Sequence, residues 1–157
     1  MTYWRMQLHP DESSLSAHHA HQSLAAGFIG LDFRDDPGDL MTVKQRDLPE
    51  RQRDYWAFAR GMKIGDKVLV MAHHFPVALV TVKGKYNYMR RPEPELGVWF
   101  RHFRRVKDVR YFADRVTNAA KWPRITMTDT ISPLREEDTE SYRMIETWPE
   151  TSEDAAP

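Results

Sequence analysis

The segment GKYNYMRRPEPELGVWFRHFRRVK, residues 84–107, gathers two tyrosines, one tryptophan, two phenylalanines and five arginines in a chain of 157 residues with no formal net charge. Aromatic faces stack on nucleobases and cationic side chains hold phosphates, so residue types at this density could do the work of nucleic-acid binding. On strands, alternate side chains face opposite sides of a sheet, and Tyr86, Tyr88, Trp99, Phe100 and Phe103 cannot all enter one core. Some are therefore expected at the surface, beside Lys83, Lys85, Arg90, Arg91, Arg101, Arg104 and Arg105. The plainer alternative is that Trp99 or Phe103 joins the core while the arginines lie along the surface on their aliphatic stems.

Other chemistries find less in the sequence. His18, His19 and His21 are close together, with His9, His73, His74 and His102 elsewhere, but no carboxylate stands at the spacing of a recognisable metal motif, and surface histidines account for them. There is no G-x-S-x-G elbow, no H-E-x-x-H and no glycine-rich loop ending in Lys-Ser or Lys-Thr. The absence of cysteine removes thiol nucleophiles, disulfides and thiolate zinc sites. The expectation is a protein without catalytic residues, metal or cofactor.

Charge is distributed unevenly. Residues 1–50 hold four basic and eight acidic groups, residues 51–110 hold 14 and five, and residues 135–157 hold two and eight. A neutral total thus conceals a basic middle between acidic ends, an asymmetry that fits a polyanionic partner. No apolar run approaches the roughly 18 residues that cross a bilayer. The opening MTYWRMQLHPDE has neither a basic nor an apolar leader region. A cytoplasmic protein with no membrane contact is expected.

These residues must be positioned by short elements. Tyr3 to Leu8 reads as a strand that His9-Pro10 ends, residues 13–25 as a helix closed by Gly27, and FIGLDF, 28–33, as a short buried strand. DDPGD is a turn on composition alone. Leu48 to Met62 has helical spacing, with Tyr55, Trp56, Phe58 and Ala59 on one side. GMKIGDKVLVMA turns into a strand, Val77 to Val82 is the next, and VWFRHFRRVKDVRYF supplies one or two more with cations at alternate positions. TISPLREEDTESYRMIETW reads as a final helix capped by Ser132 and Pro133. The expected fold is α+β, a small curved mixed sheet or partly open barrel with flanking helices, forming one domain over residues 1–150 with a disordered tail at 151–157.

Three segments carry a resemblance. YWRMQLHPDESSL, 3–15, is similar to the opening strand and turn of the EVE domain family, and GMKIGDKVLVMAHH, 61–74, resembles that family's glycine-aspartate turn and following strand. PVALVTVKGKYNY, 76–88, followed by GVWFRHFRRV, 97–106, looks like the next strand pair and the tryptophan-bearing loop of the related YTH domains and of amino-terminal modules of McrB-type restriction proteins. All belong to the PUA-like superfamily, and the match runs in order from residue 3 to about residue 110. The resemblance implies a reader that stacks a modified, methylated or flipped base in an aromatic pocket.

On that resemblance Trp99 matches a cage wall, Phe28 and Ile29 lie on the strand that carries another, His9 falls where a polar turn meets the base edge, and His73 follows near the same mouth. Trp56, in DYWAFAR where the family is polar, either adds a wall or packs against the sheet. Phosphates are expected on Lys83, Lys85, Arg90, Arg91, Arg101 and Arg104. The expected partner is nucleic acid, DNA before RNA, with a separate nuclease or ATPase subunit as a possible companion. The alternative is a small-molecule- or protein-binding PUA-like domain, or a minor hydrolase, with no nucleic-acid role.

Overall fold

The computed structural model describes residues 1–8, 16–33, 35–72, 75–112, 130–135 and 139–148. Its strands are β1 (Tyr3–Gln7), β2 (Phe28–Leu31), β3 (Lys67–Ala72), β4 (Phe75–Val82), β5 (Asn87–Tyr88), β6 (His102–Tyr111) and β7 (Ile131–Leu134). The helices are α1 (Ser16–Ala26), α2 (Arg53–Trp56), which widens into a π-helical turn over Ala57–Gly61, and α3 (Glu140–Glu146). The strands form one strongly curved sheet, a half-barrel in the order β2-β6-β4-β3-β1-β7, with helices at its flanks. This is the α+β architecture expected from the spacing of the apolar runs.

The apolar patterns explain the layers. Val68, Val70, Ala78, Val80 and Val82 face the hollow of the half-barrel, where they meet Trp4, Met6, Ile29, Leu31 and Phe58. Leu69, Met71 and Leu79, the alternate residues of the same strands, pack under Leu134, Ile145 and Trp148 on the other face. Both sides of β3 and β4 are thus covered, which is why they read as continuous apolar runs. β6 differs: His102, Arg104 and Val106 are buried, while Arg105 and Lys107 are exposed and Phe103 is half-buried. One face of its first half is open.

The GMKIGD turn locks the lower end of the sheet. Gly65 takes a left-handed conformation at φ 95°, which glycine adopts without strain. Asp66 then accepts from the Lys63 amide, the Thr2 amide and the Trp4 indole, each at 2.9 Å. β1 and β3 run parallel from that anchor, with Trp4 opposite Val68 and Met6 opposite Val70.

The final segment departs from its expected form. Ile131–Leu134 is an edge strand antiparallel to β1, not the start of a helix, and Pro133 is exposed there. An edge strand tolerates proline because the missing N–H points away from the ladder. The helix begins later, capped by Thr139, whose side chain accepts from the Tyr142 amide at 3.3 Å. No helix of the described residues is long and apolar enough to cross a membrane.

Candidate nucleic-acid interface

The antiparallel register of β2 and β6 decides which side chains share a face. Phe28 lies opposite Arg105 and Ile29 opposite Arg104. Residues one apart on a strand point to opposite sides. Phe28, Phe103 and Arg105 therefore face outward, and Ile29, His102 and Arg104 face the hollow.

Inside, the cations are fully engaged. The Arg104 guanidinium, 3 % exposed, donates to the carbonyls of Phe58 at 3.0 Å, Met62 at 2.7 Å and Gly84 at 3.1 Å. It satisfies carbonyls at the end of the π-helical turn and pins the β4–β5 connection. Burial holds its pKa below the usual arginine range. Its assignment to phosphate binding is corrected: a guanidinium in the core cannot meet a backbone in solvent.

Arg101 is corrected for a different reason. Its guanidinium pairs with Asp32 at 2.6 Å and Asp36 at 3.5 Å and donates to the Phe33 carbonyl at 2.9 Å. Two carboxylates around one guanidinium leave no positive charge there to attract phosphate. Hydrogen bonding to Asp32 pushes the Arg101 pKa up, whereas burial pushes the Asp32 carboxyl up despite that pairing.

Around this pair runs a network that composition presented only as a turn. His102, fully buried, contacts Asp36 through Nε2 at 2.7 Å and the Tyr86 hydroxyl through Nδ1 at 2.6 Å. The Tyr86 hydroxyl also accepts from the Leu40 amide at 3.1 Å; burial favours the neutral imidazole, and with Nε2–H donating to the Asp36 carboxylate, Nδ1 is left to accept the Tyr86 proton. Tyr88 donates to the same carboxylate at 2.6 Å, and Tyr55 receives the Phe33 amide at 2.6 Å. Burial lowers the His102 pKa against the opposing pull of Asp36. For Asp36, burial raises the pKa, but bonds from Tyr88, His102 and the Gly38 amide outweigh it and hold the carboxyl below its usual range. Asp32 was legible only as part of a short strand and Asp36 only as a turn former, because their partners lie more than fifty residues away: Arg101 just before β6, Tyr88 on β5 and His102 on β6.

Trp99 is half-buried against the core, with the His19 imidazole stacked on its ring at 3.9 Å and 7° between planes. α1 is held there by Ser23, which donates to the Gly97 carbonyl at 3.0 Å. The buried indole Nε1 has no hydrogen-bond partner among the described residues. Ile29 is fully buried, so its assignment as a wall of an open pocket is corrected. Phe28 meets Phe103 edge-on at 5.7 Å on the outer face, and the described ring contacts do not join it to Trp99. Trp56, half-buried, carries the Arg60 guanidinium 5.3 Å above its ring. His9 and His73 lie outside the described residues.

Among the expected phosphate ligands, Lys83, Lys85, Arg90 and Arg91 are all exposed. Arg91 approaches Glu93 at 4.0 Å with both side chains open to solvent. No ion pair links Lys83, Lys85 or Arg90 to another described residue. Among the described residues no group of three His, Asp or Glu is placed to hold a metal. No protein-family model matches the chain, and no curated protein matches it.

Proposed function

We propose that this chain is a nucleic-acid-binding module, DNA before RNA, that takes a modified or flipped base beside Trp99. The observation that carries the reading is the set of exposed cations on the connection from β4 to β6: Lys83, Lys85, Arg90 and Arg91 stand outside the acid network that absorbs Arg101. Lys83, Lys85 and Arg90 form no ion pair with a described residue, and Arg91 only a solvent-exposed one, so all four can give up their counterions to a phosphate backbone. The resemblance of residues 3–106 to EVE-type, PUA-like readers supports the same conclusion.

Trp99 supplies the base-stacking surface. Its indole is half-open and already holds a flat ring, His19, in parallel stacking geometry. A base entering there takes the place of the imidazole and gains roughly 1–3 kcal/mol of stacking. That gain offsets part of the few kcal/mol that flipping a paired base costs. Hydrolytic steps would fall to a separate nuclease or ATPase subunit, since the sequence carries no motif for either.

Trp99→Ala tests the pocket. Binding of methylated and unmethylated oligonucleotides is compared before and after the change, and the proposal expects a larger loss on the modified strand. Equal loss on both removes the modified-base assignment, and no loss on either removes Trp99 from the site.

A further inference from the structure

The outer face at the β2 edge of the sheet carries a feature that the Trp99 site does not use. Phe28 and Phe103 are half-buried, pack edge-on against each other, and belong to neither hydrophobic core. Among the described residues, α3 and its apolar cluster cover the outer face where β3 and β4 supply Leu69, Met71 and Leu79. Two phenylalanines kept partly in water, outside both cores, gain little for stability from their position.

Their surroundings are cationic by construction. The Arg105 guanidinium lies 5.9 Å from the centre of the Phe28 ring. The amides of Lys83 and Gly84 both donate to the Arg105 carbonyl, at 2.9 and 3.1 Å, which fastens the β4–β5 turn beside it. Gly84 permits that approach, because a Cβ there would stand 3.2 Å from the Arg105 Cβ. Lys85 is held in the same turn by the Asn87 side chain, which donates to its carbonyl at 2.9 Å, and Asn87 pairs with Phe103 in register. Lys107 follows Arg105 on the same face. The single acid of β6, Asp108, takes φ 51° beyond this stretch and lines a separate hollow with Lys67, Leu79, Thr81 and Arg110.

We infer that Phe28 and Phe103, with Arg105, Lys83, Lys85 and Lys107 around them, form a second stacking platform that binds the unpaired bases of a single-stranded nucleic acid. This rests on the nucleic-acid reading above and deepens it by naming the strand state. A half-buried ring on a sheet stacks a base only where the face of that base is not already covered by its neighbours in a duplex, so the platform selects single strands. The cations beside the rings fix the backbone, and their charge makes a polyanion the fitting occupant rather than an apolar partner.

The test measures binding of an oligo-thymidine strand, the matching duplex, and anionic phosphatidylserine vesicles to the full chain. Wild type, Phe28→Ala, Phe103→Ala and the double charge variant Lys83→Gln/Lys85→Gln are compared. Each Phe→Ala change is expected to weaken single-strand binding by roughly fivefold or more while leaving the salt slope unchanged. The charge variant should flatten the slope. Should either Phe variant lose its fold, an abasic strand offered to the wild-type protein reads the same term, and it should bind as weakly as normal strands bind the Phe variants. If the Phe variants and the abasic strand bind at wild-type affinity while the charge variant weakens, the platform is refuted and the nucleic-acid reading stands. If wild type binds no oligonucleotide, both fall. Vesicle binding that depends on Phe28 and Phe103, without oligonucleotide binding, assigns the face to a membrane surface and refutes the inference.

Discussion

Arg104 and Arg105 adjoin in the chain and do opposite work. Arg104 turns inward and gives three hydrogen bonds to carbonyls, while Arg105 lies open beside Phe28. Replacing Arg104 with Met strands buried acceptors, each worth about 1–3 kcal/mol, so urea unfolding should show a loss of about 3 kcal/mol or more. Arg105→Met should leave the urea midpoint nearly unchanged. His102 gives a second outcome at this scale. Its folded pKa lies below the unfolded value of about 6.5, so the unfolded chain binds the extra proton first. Its contribution to stability is complete above about pH 6.5 and is lost as pH falls from there through the folded value. Asp36, lowered by its bonds, loses its contribution only below the usual carboxylate range, and Asp32, raised by burial, has the opposite sign and gains as pH falls. Urea midpoints measured from about pH 7.5 to pH 5 should therefore decline for wild type and decline less for His102→Gln. Equal slopes in the two proteins would place the titration elsewhere.

Elements owe their placement to a few close approaches. Gly97, at φ 78°, sits where a Cβ would stand 2.3 Å from the Ala26 Cβ, and so brings the Trp99 segment against α1. Gly97→Ala combines a strained backbone with a clash against that helix, for a loss of about 2–4 kcal/mol. Because the change separates α1 from the segment, near-ultraviolet circular dichroism should also report a loosened His19–Trp99 stack. Much at this scale was legible: β3 and β4 announce themselves as apolar runs, and the helical spacing from Leu48 appears as α2 and its π turn. What escaped is what depends on distant partners. Adjacent arginines look alike until the register of β2 and β6 assigns each a face, and Phe28 and Ile29 could not both line one pocket for the same reason. Pro133 imitated a helix start because its pairing strand, β1, lies at the far end of the sequence. Asp36 likewise looked like a turn former, since nothing nearby in sequence announces His102 and Tyr88.

Across the molecule, the neutral total divides into a basic middle and acidic flanks, and folding sorts the basic groups further. Arg101 and Arg104 serve the fold, whereas Lys83, Lys85, Arg90, Arg91, Arg105 and Lys107 remain exposed at the surface. A strand that meets about four of these cations should show a slope of log K against log salt near −3, from about 0.7 per phosphate contact. The direct measurement is binding of a mixed pool of single-stranded oligonucleotides by the full chain between about 50 and 200 mM salt. A steep fall in affinity is the predicted result. Affinity that stays flat over that range, or no binding at the lowest salt, would contradict a nucleic-acid role for this protein.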